Sequence, residues 1–366
     1  MIRLLVADDS PLMRRLLREL FEAEGGFEVE LARDGLEVLE RLAAFKPQVI
    51  TLDVQMPGLD GLACLDRIMV ERPTPVVMVS ALTRAGAEES LRALELGAVE
   101  VVAKPSGALS LKMDRFGPQL LEAVRAASQA RLPIARRLAE RVRSRVRPLR
   151  EAATAPAPAP SPALRRRSAA RRPPSDGLVV VGCSTGGPAA LDVVLSALPG
   201  DFPWPVVVAQ HMPASFTGAL ARRLDGLTDL SVREVTGSAA LRAGGVYIGR
   251  GDADLVIGAR PEGLVALAAP SDAGFRWHPS VDRLMDSAMA LVAPTRIVGV
   301  LMTGMGDDGA ASMRRLRAGG GRTIAEAEST AVVWGMPGEL VRAGGAEFVE
   351  PLDRIGLRLA QMAGAA

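Results

Sequence analysis

A serine in a glycine-rich turn has the residue context for nucleophilic chemistry. Ser184 lies in GCSTGGP, directly after the apolar run LVVV. Gly182, Gly186 and Gly187 permit a sharp turn and place the serine at the start of a predicted helix, where free N–H groups point outward. Such a turn suits a phosphate or dinucleotide cradle, or a nucleophilic serine. Its spacing matches neither GxGxxG nor GxSxG, so the turn alone leaves both functions open.

A histidine and an aspartate favour the nucleophilic serine. His211, one of two histidines, follows PVVVAQ, and Asp307 and Asp308 follow RIVGVLMTGMG. With Ser184 they come after three predicted strands, whose carboxyl ends share one edge of a parallel sheet. In ester hydrolysis the imidazole takes the serine proton, and the carboxylate orients the imidazole. A histidine in such a loop is often structural, so an output domain that binds a ligand or protein without catalysis stays as the alternative.

The same turns offer donors for a developing oxyanion. Glycines flank Met305 and leave N–H groups free, and the N–H of Thr185 follows the serine directly. Donors of this kind contribute roughly 3 kcal/mol each to stabilising a tetrahedral intermediate.

The first half of the chain has a different set of polar residues at predicted strand ends. Asp8 and Asp9 follow the first strand, Asp53 ends the third, Ser80 the fourth and Lys104 the fifth. Three carboxylates at one edge repel one another unless a hard cation such as Mg²⁺ neutralises them. A bound metal would present a phosphoryl donor to the aspartate, with the lysine and the hydroxyl holding the phosphoryl oxygens.

The elements that must position these residues alternate regularly. Short apolar runs and amphipathic helical patterns follow one another in both halves, which predicts an α/β fold with two doubly wound sheets. The N-terminal sheet is predicted to be parallel, five-stranded and flavodoxin-like. The C-terminal sheet is predicted to be mostly parallel, with VYIGRGDADLVIG and LVALAAP as antiparallel strands inserted as a hairpin.

A basic, proline-rich segment separates the halves. Between Arg131 and Arg172 there are 13 arginines, two acidic residues and the run APAPAPSPAL. Proline favours extended chain without sheet partners, so 123–176 is predicted to be a flexible linker whose first part, to about Arg147, continues a helix. The predicted domains are therefore 1–122 and 177–366. A DNA-binding role for the arginines is a weaker alternative, because no helix-turn-helix pattern accompanies them.

Composition excludes several classes. The chain has 366 residues, is 48% hydrophobic and has a net charge of +2, which provides for two cores and argues against a basic nucleic-acid coat protein. Cys64 and Cys183 form neither a disulfide framework nor a zinc site. The start MIRLLVADDS is not a signal peptide, and no run approaches the roughly 20 apolar residues that cross a bilayer. We therefore expect a cytoplasmic protein without membrane insertion or nucleic-acid partner.

The first half resembles the receiver domain of two-component response regulators over about residues 1–122. The resemblance implies these roles: phosphorylation at Asp53, Mg²⁺ binding by Asp8, Asp9 and Asp53, and phosphoryl contacts from Ser80 and Lys104. Many receivers have Phe or Tyr three residues before the lysine, where this chain has Val101. An aromatic switch is therefore in doubt, whereas phosphorylation is not.

The second half resembles the catalytic domain of chemotaxis protein-glutamate methylesterases over about 177–366. The matching stretches are GCSTGGP, QHMP, FTGAL, VYI, PSVD, LMTGMGDDGA and IAEAESTAVVWGMP. The resemblance implies these roles: Ser184 as nucleophile, His211 as base, Asp308 as orienting acid, and Thr185 and Met305 as oxyanion donors, with no cofactor for the ester chemistry. The family usually has Arg before PSVD; here it is His278, which implies different receptor recognition or only a packed loop residue.

Together the resemblances imply a phosphorylation-activated serine hydrolase of chemotaxis-type adaptation. Its substrates would be methylated chemoreceptors, from which it releases methanol, and receptor glutamines, which it would deamidate to glutamate. A chemotaxis histidine kinase would be the phosphodonor. In such proteins the unphosphorylated receiver packs over the active site, and phosphorylation relieves the block.

Overall fold

Two α/β units make up the chain in the computed structural model. The structure describes residues 1–80, 84–104, 109–132 and 177–364. The predicted linker lies mostly at 133–176, outside these ranges.

The first unit is a five-stranded parallel sheet with helices on both faces. Its strands are β1 (Ile2–Ala7), β2 (Phe27–Ala32), β3 (Val49–Asp53), β4 (Val76–Ser80) and β5 (Glu100–Ala103). Its helices are α1 (Pro11–Glu24), α2 (Gly35–Ala44), α3 (Gly61–Glu71), α4 (Arg84–Leu96) and α5 (Leu109–Ser128). The strand order β2-β1-β3-β4-β5 confirms the predicted doubly wound sheet.

Local chemistry explains where these helices begin. Ser10, Asp34 and Asp60 are N-caps, and each side chain accepts a hydrogen bond from a backbone N–H in the first turn of α1, α2 or α3. The strands β3 and β4 are buried along their whole length, as expected of central strands covered on both faces. The last helix, α5, continues to Ser128, past the boundary predicted at residue 122.

The second unit contains a seven-stranded parallel sheet and a small antiparallel sheet. Its strands are β6 (Leu178–Cys183), β7 (Val206–Gln210), β8 (Ser231–Val235), β9 (Ser238–Ala240), β10 (Gly245–Gly249), β11 (Asp254–Arg260), β12 (Gly263–Ala269), β13 (Ile297–Leu301), β14 (Arg322–Glu326) and β15 (Phe348–Glu350). Its helices are α6 (Gly187–Ser196), α7 (Ala214–Leu227), α8 (Val281–Met289), α9 (Ala310–Ala318), α10 (Met336–Arg342) and α11 (Leu352–Met362).

The parallel sheet has the order β15-β14-β13-β6-β7-β10-β8, and the antiparallel sheet the order β11-β12-β9. The inserted antiparallel strands are thus confirmed for β11 and β12. For VYIG the prediction was wrong, because β10 pairs in parallel with β7 and β8 inside the main sheet. Its five residues are all buried, and this burial is the signature of a central parallel strand.

The two units contact each other through helices and ion pairs. The guanidinium of Arg223 on α7 contacts Glu95 of α4 at 2.7 Å and also Asp192 of its own unit. Arg276 lies 3.6 Å from Glu122 of α5. Ser184 and His211, which follow the carboxyl ends of β6 and β7, line a cavity together with Glu100 and Glu122 of the first unit. Among the described helices, none is long and apolar enough to cross a membrane.

Candidate active site

Three neighbouring strands bring the predicted triad to one edge of the second sheet. β6 lies between β13 and β7 and pairs in parallel with both. Ser184 follows β6, His211 follows β7, and Asp308 lies in the loop between β13 and α9. The parallel order alone therefore gathers side chains that are far apart in sequence.

A hydrogen bond joins the imidazole to the carboxylate. His211 Nε2 lies 2.9 Å from Asp308 Oδ2, and both side chains are nearly buried. Because the ionised carboxylate can only accept, Nε2 carries the proton in the neutral imidazole. His211 Nδ1 is buried and has no partner among the described residues, so its lone pair is free to accept a proton.

The carboxylate of Asp308 is held by the beginning of α8. Oδ1 accepts from Ser280 Oγ and from the N–H of Asp282, both at 3.0 Å, and Oδ2 accepts from the N–H of Val281 at 2.7 Å. Burial alone would raise the pKa of Asp308, but these bonds and His211 hold that pKa below its ordinary value. Its neighbour Asp307 is exposed, so the two adjacent acids differ in burial and only Asp308 is buried.

The serine turn is fixed through its backbone. The N–H of Ser184 donates to Thr303 O at 2.9 Å, and its carbonyl accepts from Gly187 N–H and from Gln210 Nε2. Gly186 has φ of +80°, a conformation that favours glycine. At Gly304 a Cβ atom would lie 2.7 Å from Ser184 Cβ, so this position needs glycine for the loop after β13 to approach the turn.

Both predicted oxyanion donors lie at the same cavity. The N–H groups of Thr185 and Met305 have no hydrogen-bond partner in the described part of the chain. The cavity has a volume of about 340 Å³ and is lined by Ser184, Thr185, His211 and Met305 together with receiver residues. Within the described ranges no hydrogen bond joins the Ser184 hydroxyl to His211, although both side chains line this space.

Several residues that support the site were missed by the sequence analysis. The buried carboxylate of Glu326 accepts from the N–H of Thr303, and burial raises its pKa to about 7. Gln210 bonds the serine turn, and Ser280 bonds the triad acid. The indole of Trp277 stacks on His211. Gln210, Ser280 and Glu326 lie in the motif stretches QHMP, PSVD and IAEAESTAVVWGMP, whereas Trp277 lies in FRWH, directly before PSVD and outside them.

His278, also in that stretch, lies beside the site. Its Nδ1 is 3.0 Å from Asp254, a buried carboxylate that also bonds Arg283 and the N–H of Ser280. The imidazole lines the catalytic cavity but is tied to the antiparallel sheet through β11. These contacts fit a packed loop residue, and different receptor recognition through His278 stays a prediction.

The predicted receiver residues meet at the carboxyl edge of the first sheet. Asp8, Asp9 and Asp53 have carboxylate oxygens within 4.8 Å of one another. Lys104 Nζ lies 2.7 Å from both Asp8 and Asp53. Burial, with a smaller contribution from Asp8, raises the pKa of Asp53 against the opposing effect of Lys104. The Ser80 hydroxyl instead donates to Gly86 O at 3.3 Å.

These acids fit a hard divalent cation. The carboxylates provide only oxygen donors, one of them is exposed, and the buried pair needs positive charge beside it, which Lys104 partly provides. The cluster is typical of the Mg²⁺ site of a receiver domain.

The receiver covers the catalytic cavity. Glu100 and Val101 of β5 and Glu122 of α5 line it opposite the serine. The position where many receivers have an aromatic residue is therefore occupied by a buried valine at the domain contact. Burial raises the pKa of the Glu100 carboxyl to about 7, against the Thr185 hydroxyl and the Val101 N–H, which lower it.

Fold and site together define a response regulator whose output domain is a serine hydrolase. The family model for the CheB methylesterase matches residues 179–359, and that for the response regulator receiver domain matches residues 4–113. The chain is 56% identical to the protein-glutamate methylesterase/protein-glutamine glutaminase 2 of Rhodopseudomonas palustris, over 97% of this chain and 96% of that protein. It is 50% identical to a counterpart from Rhodospirillum rubrum, over 97% and 94%.

Among solved structures, the CheB methylesterase catalytic domain of Thermotoga maritima is similar at 38% identity with a TM-score of 0.49, covering 51% of this chain and 98% of that one. The chain belongs to the CheB family of protein-glutamate methylesterases/protein-glutamine glutaminases. The predicted family, fold class and enzyme class are confirmed, and the alternative of a non-catalytic output domain is not.

Proposed function

We propose that Ser184, His211 and Asp308 hydrolyse glutamyl methyl esters of chemoreceptors and deamidate receptor glutamines. The observation that carries this proposal is the imidazole itself. One nitrogen of His211 bonds the Asp308 carboxylate, the other has no partner among the described residues, and His211 and Ser184 line the same cavity. That arrangement supports His211 as the base for Ser184.

The reaction then runs in two acyl-transfer steps. His211 Nδ1 takes the proton of Ser184 Oγ as the oxygen attacks the ester carbonyl, and Asp308 stabilises the imidazolium. The N–H groups of Thr185 and Met305 bind the oxyanion. On collapse the imidazolium proton passes to the leaving methoxide, so methanol departs and a glutamyl–serine ester remains. Water, deprotonated by Nδ1, releases the glutamate carboxylate and restores the serine. With an amide substrate, ammonia departs instead.

Phosphorylation of Asp53 would control access to this chemistry. Asp8, Asp9 and Asp53 would hold Mg²⁺, which supplies charge neutralisation for phosphoryl transfer when bound. Lys104 would pair with the new phosphoryl oxygens in place of the carboxylates it now bridges, and Ser80 would turn from Gly86 toward them. The receiver lines the cavity in the present arrangement, so a shift of its surface would open the site.

The partners follow from the same proposal. Methylated chemoreceptors are the substrate and a chemotaxis histidine kinase is the phosphodonor. The domain limits at 122 and 176, the cytoplasmic location and the absence of a nucleic-acid partner stay predictions.

Methanol release from methylated receptor membranes, with and without a small phosphodonor, tests the proposal. Ser184→Ala is expected to abolish release, because no other hydroxyl replaces the nucleophile. The matched variant Asp53→Asn should keep the basal rate and lose the stimulation. Hydrolysis by Ser184→Ala would overturn the nucleophile assignment, and full stimulation of Asp53→Asn would overturn the phosphorylation site.

A further inference from the structure

We propose that Trp277 is a positioning residue that holds the imidazole of His211 and the oxyanion loop at Met305 in a fixed position relative to each other. The inference rests on the proposed function, because it assigns a task to a side chain that touches both parts of that site. Trp277 lies between β12 and α8, in the loop that precedes Ser280.

The indole and the imidazole are stacked. Their ring centroids lie 5.7 Å apart and their planes differ by 3°. The hydrogen bond to Asp308 fixes one ring nitrogen of His211 but leaves the ring free to turn about the axis through that bond. A flat surface parallel to the ring removes this freedom, and the face of an indole also stabilises the positive charge that develops on the imidazole during reaction.

The same indole packs on the oxyanion loop. A Cβ atom on Gly306 would lie 2.7 Å from Trp277 Cζ2 and 3.0 Å from Cη2, so the indole edge contacts the backbone immediately after Met305. Gly306 has φ of +87°, which orients the peptide groups of this turn. One rigid side chain therefore contacts the base on its face and the loop of a predicted oxyanion donor on its edge.

Arg276 secures the indole from the solvent side. Its guanidinium lies 4.9 Å from the Trp277 ring centroid and makes its only described ion pair with Glu122 of the receiver, at 3.6 Å. The arginine side chain is 70% exposed. Its guanidinium therefore covers the indole ring on the solvent side but does not fix the indole in the protein core. The indole is consequently held by aromatic and backbone contacts in the catalytic unit itself.

Substitutions that distinguish the effect of a flat aromatic ring at position 277 from the effect of side-chain volume test this role. In the full-length protein with saturating phosphodonor, Trp277→Leu is expected to lower kcat for methanol release about tenfold or more, with KM within roughly twofold, since small displacements of reacting groups cost one to two orders of magnitude in rate. Trp277→Phe keeps an aromatic face, and its kcat should stay within about threefold of the kcat of the unaltered protein. The rate of covalent labelling of Ser184 by a small fluorophosphonate should fall in parallel with kcat.

Trp204→Leu is the matched control, because Trp204 is also half-buried but does not line the cavity. It should leave the labelling rate unchanged. Unchanged labelling of Trp277→Leu, or a rise in KM alone, would overturn the positioning role, and the latter would make Trp277 a receptor-binding residue. If the leucine variant does not fold, Trp277→Met gives the same comparison. Labelling that persists in Ser184→Ala would instead refute the proposed function.

Discussion

At the scale of single residues, the catalytic proposal depends on which imidazole nitrogen carries the proton. His211 presents Nε2 to Asp308 and leaves Nδ1 for the serine. The carboxylate therefore does more than add negative charge, because it selects the tautomer in which Nδ1, unpaired among the described residues, carries the free lone pair. The fourfold hydrogen bonding of Asp308 keeps it ionised for this task.

Asp308→Asn tests the choice of tautomer. An asparagine amide keeps the shape but can donate to Nε2, which moves the proton to Nδ1 and removes the base. We expect kcat for methanol release to fall by roughly three to four orders of magnitude, as in other triads, while receptor binding is unchanged. The neighbouring Asp307→Asn is the control and should keep full activity, because Asp307 is exposed. Equal losses in both variants would contradict the assignment.

A site residue can be predicted from the sequence where a motif fixes its position in the fold. It cannot be predicted where its role depends on a contact made by the tertiary structure. Ser184 and His211 follow directly on strands, so strand order places them. The preference for Asp308 over Asp307 came from the motif, and burial now separates the two. The stacking of Trp277 on His211 could not be predicted, because it depends on how the loop after β12 folds back over the sheet edge.

At the scale of elements, the first turn of α8 acts as the support of the triad acid. Two of its N–H groups and the hydroxyl of its N-cap, Ser280, converge on one carboxylate. The partial positive charge of a helix N-terminus favours such an anion. The same hydroxyl accepts from the N–H of Arg283, so one atom both begins the helix and binds Asp308.

Ser280→Ala and Ser280→Gly separate these two tasks. Alanine is a poor N-cap and should lower the free energy of unfolding by about 1 kcal/mol, whereas glycine caps well and should cost only a few tenths. Both variants lose the bond to Asp308, so both should lower kcat severalfold. Urea unfolding and methanol release measure the two effects. A loss of kcat in the alanine variant alone would tie catalysis to helix stability and not to the bond.

The alternation of strands and helices made the two doubly wound sheets predictable, because buried parallel strands read as short apolar runs. Pairing partners were harder to predict. VYIG is apolar on both faces and could join either sheet, and only its parallel neighbours β7 and β8 decide that it belongs to the main one.

At the scale of the whole molecule, the receiver acts as a cover. β5 and α5 line the cavity, Arg276 pairs with Glu122 of α5, and Arg223 pairs with Glu95 of the neighbouring α4. Only the resemblance predicts this closure, since nothing in a single chain's periodicity tells which surfaces of two units meet. The contacts identify Glu100 and Glu122 as receiver carboxyls that line the cavity.

Closure should weaken as the pH rises, because of Glu100. Burial between the units raises the pKa of its carboxyl from an ordinary 4.5 to about 7, against the Thr185 hydroxyl and the Val101 N–H, which favour the charged form. Below both pKa values the Glu100 carboxyl is neutral whether the receiver is closed or withdrawn. Closure then buries no charge and has no free-energy penalty from this group. Between about pH 4.5 and 7 closure requires the carboxyl to take up a proton, so the stability of the closed arrangement falls as the pH rises across this interval; above about pH 7 closure buries the charge. Glu122, Arg276, His211 and His278 are the other titratable or charged groups that line the cavity.

Glu100→Gln removes this pH dependence, because the amide stays neutral. The ratio of Ser184 labelling rates, variant to unaltered protein without phosphodonor, cancels the titration of the triad, which both proteins share. We expect this ratio to be near one at pH 4, below both values, to fall as the pH rises from 4.5 to 7, and to be about one third or lower at pH 8, where only the unaltered receiver is loosened by its charge. With phosphodonor, which withdraws the cover in both proteins, the ratio should stay near one throughout. A ratio that is flat with pH in the unphosphorylated proteins would mean that Glu100 is charged and solvated at the contact, and that its protonation does not control closure.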